Sequence, residues 1–381
     1  MLFPVAILLV GINLRPALAS VGPLLDAIQR DTGLGDVGAS LLTTFPVVLM
    51  GICLLGTAWL RRWMGERAGV AFGVLLILLA CLARWLWPQA AALVSTAVVA
   101  GIGIALVQAL MPGAIRRRTG SRSGRLMGFY SSAIMGGAML SSVAGAWIGL
   151  AWGWPVALGI WALPAFLGLG VWLLVSRAQQ EAIGLARRNP VHRAPRAWLL
   201  MLFFGLGTGA YTLVLAWLPP FYTQLGWSGE AAGAMLGVVT LAEVAAGIAV
   251  SLIVDRSPDR RAVLLTAIAA LLTAMLCLCV APLRLAWAAA ALAGLGIGAL
   301  FPLSLIVAMD HGEDADQASA IAGFVQGGGY VLAAVLPLVA GLLRQNLADL
   351  TPAWWLMTGL CFALALIAGR FRPGDRLFLT F

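Results

Sequence analysis

The sequence predicts an all-α polytopic membrane protein: twelve transmembrane helices in two pseudo-symmetric six-helix bundles. Three observations carry that prediction. The composition is too apolar for a soluble domain, apolar stretches of spanning length recur along the chain, and the second half repeats the first. Hydrophobic residues make up 62% of 381 residues and charged residues 10%, with a mean hydropathy of +0.98. A soluble domain carries roughly 45–50% apolar and about 25% charged residues.

A helix crosses a hydrocarbon layer of about 30 Å with about 20 residues. Stretches of that length lie near 3–28, 37–60, 68–87, 91–114, 124–150, 154–176, 197–224, 229–254, 262–281, 285–309, 317–343 and 351–369. A cleaved signal peptide is not expected, because the first stretch has no basic leader, contains Arg15 and runs to full spanning length.

The basic residues are all arginines, 24 in number. Nineteen fall after spans 2, 4, 6, 8 and 12, and only Arg30, Arg84, Arg284 and Arg344 fall in the odd-numbered loops. By the positive-inside rule both termini and the even loops face the cytoplasm. Topology therefore accounts for the net charge of +9. A nucleic-acid partner is not needed, whereas a basic face beside anionic lipid fits.

The repeat appears at shifts of 193–196 residues. Gly11 falls on Gly207, Pro23 on Pro219 and Thr44 on Thr240, while Gly101-Ile102-Gly103-Ile104 falls on Gly294-Leu295-Gly296-Ile297. The expected organisation is an N-terminal bundle over 1–176, an Arg-rich cytoplasmic linker over 177–196 with Pro190 and Pro195, and a C-terminal bundle over 197–381.

Arg15 is the most informative single residue. It lies midway along the first span, where a charge costs about 2.5–3.5 kcal/mol on insertion scales and is usually turned toward a wet cavity or a partner. Guanidinium cannot deprotonate, and its planar fork suits carboxylate-like or linear anions. Two readings stay open: a ligand for an anionic substrate, or a fixed ion pair or cap on backbone that Pro16 disrupts. Under the 196-residue shift Arg15 falls on Tyr211, flanked by Gly207 and Gly209; its hydroxyl could bind the same anion, or its ring could simply pack. Asn13 stands about 200° round the helix from Arg15 and ranks below it. Glu243 is the one carboxylate placed deep in a span, either as a proton carrier or gating charge or as a fixed partner of Arg15. Gln108, Gln326 and Tyr330 are further polar groups with candidate cavity exposure.

Loop motifs narrow the class. After span 2, Gly56, Arg61, Gly65 and Arg67 keep part of a G-x-x-x-D-R-x-G-R-R pattern without its usual acid; after span 8 the run Asp255-Arg256-Ser257-Pro258-Asp259-Arg260-Arg261 keeps it better. Asp255 and Arg256 are thus gating candidates. Asn13-Leu14-Arg15-Pro16 with Gly22-Pro23-Leu24-Leu25, Gln108-Ala109-Leu110-Met111-Pro112, Ala216-Trp217-Leu218-Pro219, and Phe301-Pro302-Leu303 before Asp310-His311 resemble the cyanate permease and 2-nitroimidazole transporter branch of the major facilitator superfamily. The resemblance implies a monomeric secondary carrier of the bacterial inner membrane that moves a small anion such as cyanate by alternating access about a midplane site. The alternative is an exporter of nitroaromatic compounds or drugs with the same fold.

Other classes find no support. The five cysteines are scattered, and His192 and His311 have no second ligand at metal spacing; no metal or cofactor is expected. Gly101-Ile102-Gly103 and Gly327-Gly328-Gly329 lack the strand and Lys-Ser/Thr of a phosphate loop, and no hydrolase or protease motif occurs, so an enzyme is not expected. Tryptophans such as Trp59, Trp63, Trp85, Trp87, Trp152 and Trp154 cluster near span ends and read as an interfacial belt.

Overall fold

The computed structural model describes residues 2–119, 123–176, 191–253, 259–313, 315–372, 374 and 376–377. Twelve helices among them are long and apolar enough to cross a membrane. The first span comprises α1 (Leu2–Ile12), α2 (Pro16–Ala19) and α3 (Val21–Thr32), followed by α4 (Asp36–Leu55), α5 (Thr57–Leu86), α6 (Ala90–Thr119) and α7 (Ser123–Trp152). The sixth span is split into α8 (Trp154–Gly159) and α9 (Ala162–Val175). Then come α10 (Pro195–Gln224), α11 (Gly229–Ile253), α12 (Arg261–Val280), α13 (Ala286–Asp310), the split pair α14 (Ala315–Ala333) and α15 (Val335–Leu347), and α16 (Thr351–Ala368). Most of the expected linker, residues 177–190, lies outside the described residues.

The chain clusters into two compact units, one of residues 1–186 with 218–237, the other of residues 187–217 with 238–381. The first gathers the end of α10 and the start of α11 in addition to the expected N-terminal bundle. Small residues allow this: a Cβ on Gly233 would lie 2.8 Å from the Ser142 carbonyl, and one on Gly237 2.6 Å from Val143.

Without a hydrophobic force between helices in lipid, close backbone approach does much of the packing. The repeated glycine motif shows it in both units. Gly101 of α6 leaves room for α4, where an added Cβ would lie 2.6 Å from Pro46 Cα, and Gly103 faces α5, 2.5 Å from the Gly73 carbonyl. Their counterparts on α13 act alike: Gly294 abuts Val239 of α11 and Gly296 abuts Leu271 of α12, where a Cβ would stand 2.8 Å away. Gly65, at φ 68°, supplies the left-handed turn by which the chain enters the third span without a separate loop.

Next to Gly65, Glu66 provides a carboxylate within the incomplete loop pattern. It is buried and forms an ion pair with Arg117 at the end of α6. The second unit has the equivalent link with reversed polarity: Arg260, at the start of α12, pairs with Asp310 at the end of α13 at 3.3 Å. Arg117→Ala leaves a buried carboxylate without its cation and is expected to lower stability by about 1 kcal/mol. The swap Glu66→Arg with Arg117→Glu is expected to recover most of that loss. Thermal denaturation in detergent, comparing the single change with the swap, checks this.

Trp59, Trp63, Trp85, Trp87 and Trp152 are exposed at span ends, but Trp154 departs from the expected belt. It is buried and its indole donates to Asp31 at 2.8 Å. Arg84 departs further: expected in an odd-numbered loop, it lies inside α5 and is 1% exposed.

Candidate functional site

The site begins with the interruption of the first span. Pro16 has no amide hydrogen, and its ring displaces the carbonyl one turn back, that of Ile12. The chain tightens ahead of it, with Asn13 N bonded to Val10 O at 3.2 Å and Leu14 N to Gly11 O at 3.1 Å. Arg15 caps the short helix that restarts there, its carbonyl accepting from Leu18 and Ala19. Ser20 closes that helix, donating from its amide and its hydroxyl to Pro16 O at 3.1 and 2.7 Å. Arg15 therefore projects from broken helix, and it is 4% exposed.

The neighbouring helices are shaped to the break. The Ile12 carbonyl faces Gly137 of α7 so closely that any side chain there would overlap it. Asn13 turns its amide onto Leu9 O at 2.6 Å, next to Gly168 of α9. Its Oδ1 is buried and receives no hydrogen bond among the described residues, as is true of Gln108 Oε1 on α6. Arg15, Asn13 and Gln108 thus belong to one unit, with Asn13 engaged toward α9.

In the second unit the broken helix is a different one. α10 runs unbroken past Tyr211 and Thr212, the positions equivalent to Arg15 and Pro16. The interruption falls instead between α14 and α15, where Pro337 deprives Ala333 O of its donor. Thr212 fills that role from α10, sharing its hydroxyl proton between Ala333 O at 2.9 Å and Gly209 O at 3.0 Å. The Trp217 indole donates to Pro337 O at 2.9 Å. Tyr211, adjacent to Thr212 in sequence, is half-buried. Tyr330 sits edge-on to Phe204 at 5.4 Å, and Gln326 is half-buried on the same helix.

Glu243 is 4% exposed. It stands where α11 crosses α13, and Gly298 permits the crossing, since an added Cβ would lie 2.7 Å from the Glu243 carbonyl carbon. Asp255 and Arg256 lie outside the described residues. Of their loop, Asp259 is described: its hydrogen bonds from the Arg261 side chain and amide hold its carboxyl down at about 2. Asp259 therefore stays ionised throughout the neutral range and adds no pH dependence there.

Three residues were missed in the sequence. Arg84 links α5 to the first span and to α6. Tyr130 is buried against Gly11, whose added Cβ would lie 3.3 Å from its ring. Thr208, one turn before Tyr211, is buried with no partner for its hydroxyl among the described residues. Arg84 alone carried a signal, as a second charge within an apolar run. No group of His, Cys, Asp or Glu suited to hold a metal occurs among the described residues.

Twelve spans in two six-helix repeats, with the first and the eleventh broken at a proline beside buried polar groups, define a secondary carrier. The chain belongs to the Major Facilitator Superfamily, whose profile matches residues 7–334 and, again, 222–377. It is 36% identical over 370 residues to the cyanate transport protein CynX of Escherichia coli (strain K12), covering 96% of each chain. It is 33% identical over 349 residues to the 2-nitroimidazole transporter of the same organism, covering 89% of this chain and 87% of that one. A solved D-xylose-proton symporter shares the fold at a TM-score of 0.78 and 16% identity, covering 98% of both chains. The protein is a membrane transporter and not an enzyme.

Proposed function

We propose that the protein moves a small anion such as cyanate across the bacterial inner membrane by alternating access, as a monomer with both termini in the cytoplasm. One observation carries the reading: a buried arginine, Arg15, placed at a proline break in the first span of a chain that matches a cyanate transport protein along 96% of its length. Broken helices expose backbone polar groups at a ligand site, which is how carriers of this kind assemble binding sites within the bilayer. In the first unit Arg15 would grip the anion with Gln108 as an amide donor; in the second, Tyr211, Gln326 and Tyr330 are the substrate-binding candidates. Asn13 would hold the break. Asp255 and Arg256 would serve in gating.

Purified protein in liposomes tests this. Uptake of labelled cyanate is expected to saturate and to be inhibited by other small monovalent anions but not by neutral solutes of similar size. Saturable uptake without anion competition would defeat the reading. The second reading, efflux of nitroaromatics, is favoured by the 33% identity to a 2-nitroimidazole transporter; inverted vesicles that accumulate 2-nitroimidazole but ignore cyanate would establish it.

Glu243 would carry the proton. Glu243→Gln removes the exchangeable carboxyl proton while preserving shape. Uptake by that variant is expected to lose its dependence on an imposed pH gradient while keeping its anion selectivity. Full gradient dependence in Glu243→Gln would remove Glu243 as the coupling group.

A further inference from the structure

Arg84 is a permanent cation buried within the first unit, and the two acceptors it reaches are neutral. Its Nη1 donates to Ala17 O at 2.8 Å and its Nε to Thr96 Oγ1 at 3.2 Å. Thr96 is oriented for that role, since its own hydroxyl donates to Leu93 O at 2.9 Å. Nη2 is buried with no hydrogen-bond partner among the described residues. Burying a guanidinium against two neutral acceptors is costly, so its position in α5 calls for a use.

Ala17 is two residues beyond Arg15, in the four-residue helix that Arg15 caps. That helix is too short to hold itself: it has one turn, with Pro16 at its start and Ser20 at its end. Its carbonyls at Arg15 and Pro16 are satisfied locally, by Leu18, Ala19 and Ser20. The carbonyl at Ala17, at the junction with α3, is taken by Arg84 from another span. We propose that Arg84 is a positioning residue for Arg15: by clamping Ala17 O and anchoring on Thr96, it fixes the restarted helix to the third and fourth spans and so sets the direction from which Arg15 meets the anion. This rests on the reading of Arg15 as the anion ligand.

Two measurements on reconstituted Arg84→Met and Arg84→Lys test it. Methionine keeps the volume and removes both hydrogen bonds; lysine keeps the charge and one donor. Arg84→Met is expected to raise the cyanate KM about tenfold with the maximal rate changed far less, as misplacement of a binding group does, and to speed amide hydrogen exchange over residues 17–21. Arg84→Lys is expected to return both most of the way to wild type. The proposal is overturned if Arg84→Met keeps the wild-type KM, or if KM rises while exchange over 17–21 is unchanged. If Arg84→Met does not fold, Thr96→Val removes only the anchor and is expected to shift both readouts in the same direction by less; no shift overturns the proposal. Hydrogen exchange needs no substrate, so wild-type protein that takes up no cyanate defeats the reading of Arg15 and leaves exchange to decide whether Arg84 holds the break.

Discussion

Arg15→Ala is expected to lower the initial rate of anion uptake at low substrate by about 100-fold, with the purified variant still folded. A charge-assisted hydrogen bond contributes about 1.5–3 kcal/mol, each 1.4 kcal/mol is a factor of ten, and a bidentate guanidinium contact stands at the upper end of that range. The fold survives because Arg15 supports α2 through its backbone: its carbonyl accepts from Leu18 and Ala19 whatever the side chain. Arg15→Lys keeps the charge but loses the planar fork, and is expected to recover only part of the rate. Uptake of labelled cyanate into proteoliposomes at matched protein density checks both. Wild-type uptake in Arg15→Ala would return the residue to its other reading, a fixed partner in the helix break.

The fold was legible because its signals are local and additive. Apolar runs count out the spans, and Gly101-Ile102-Gly103-Ile104 with Gly294-Leu295-Gly296-Ile297 marks equivalent three-helix contacts in both halves. The breaks were less so. Pro46, Pro112, Pro219 and Pro302 lie inside continuous helices, whereas Pro16 and Pro337 accompany interruptions at positions the repeat does not relate. A proline only frees a carbonyl; neighbouring spans decide whether the helix continues. Arg84 shows the same limit. Near a span end an arginine can reach outward to the interface, and it turns inward here to acceptors 67 and 12 residues away in sequence. The burial of Arg15 and Glu243 was legible because an unexplained charge in an apolar run is conspicuous by itself, but Thr208 and Tyr130 are ordinary residues in helical context whose burial only packing reveals.

Gly137→Val is expected to destabilise the protein by about 3 kcal/mol, the upper end for overpacking a close contact, and to depress transport with it. A Cβ at 137 would overlap the Ile12 carbonyl oxygen and lie 2.9 Å from its carbon and 3.1 Å from its Cα. These are backbone atoms, so no rotamer change relieves the clash, and α7 must move away from the first span at the level of Asn13–Pro16. There the backbone is held by few hydrogen bonds of its own, because Pro16 has already removed one. Displacement is therefore expected to spread to Arg15 before it spreads through either helix. The adjacent Gly136 supplies the control. Nothing lies within 4 Å of a Cβ there, and alanine is favoured over glycine in a helix by up to about 1 kcal/mol. Gly136→Ala is expected to be neutral or slightly stabilising and to transport normally. Thermal midpoints and uptake rates for the two variants separate loss of helix flexibility, which would affect both positions, from loss of the close approach to Ile12, which affects 137 alone. Equal losses at both would mean that α7 needs its glycines to bend; loss confined to 137 would mean that the break in the first span depends on that close approach.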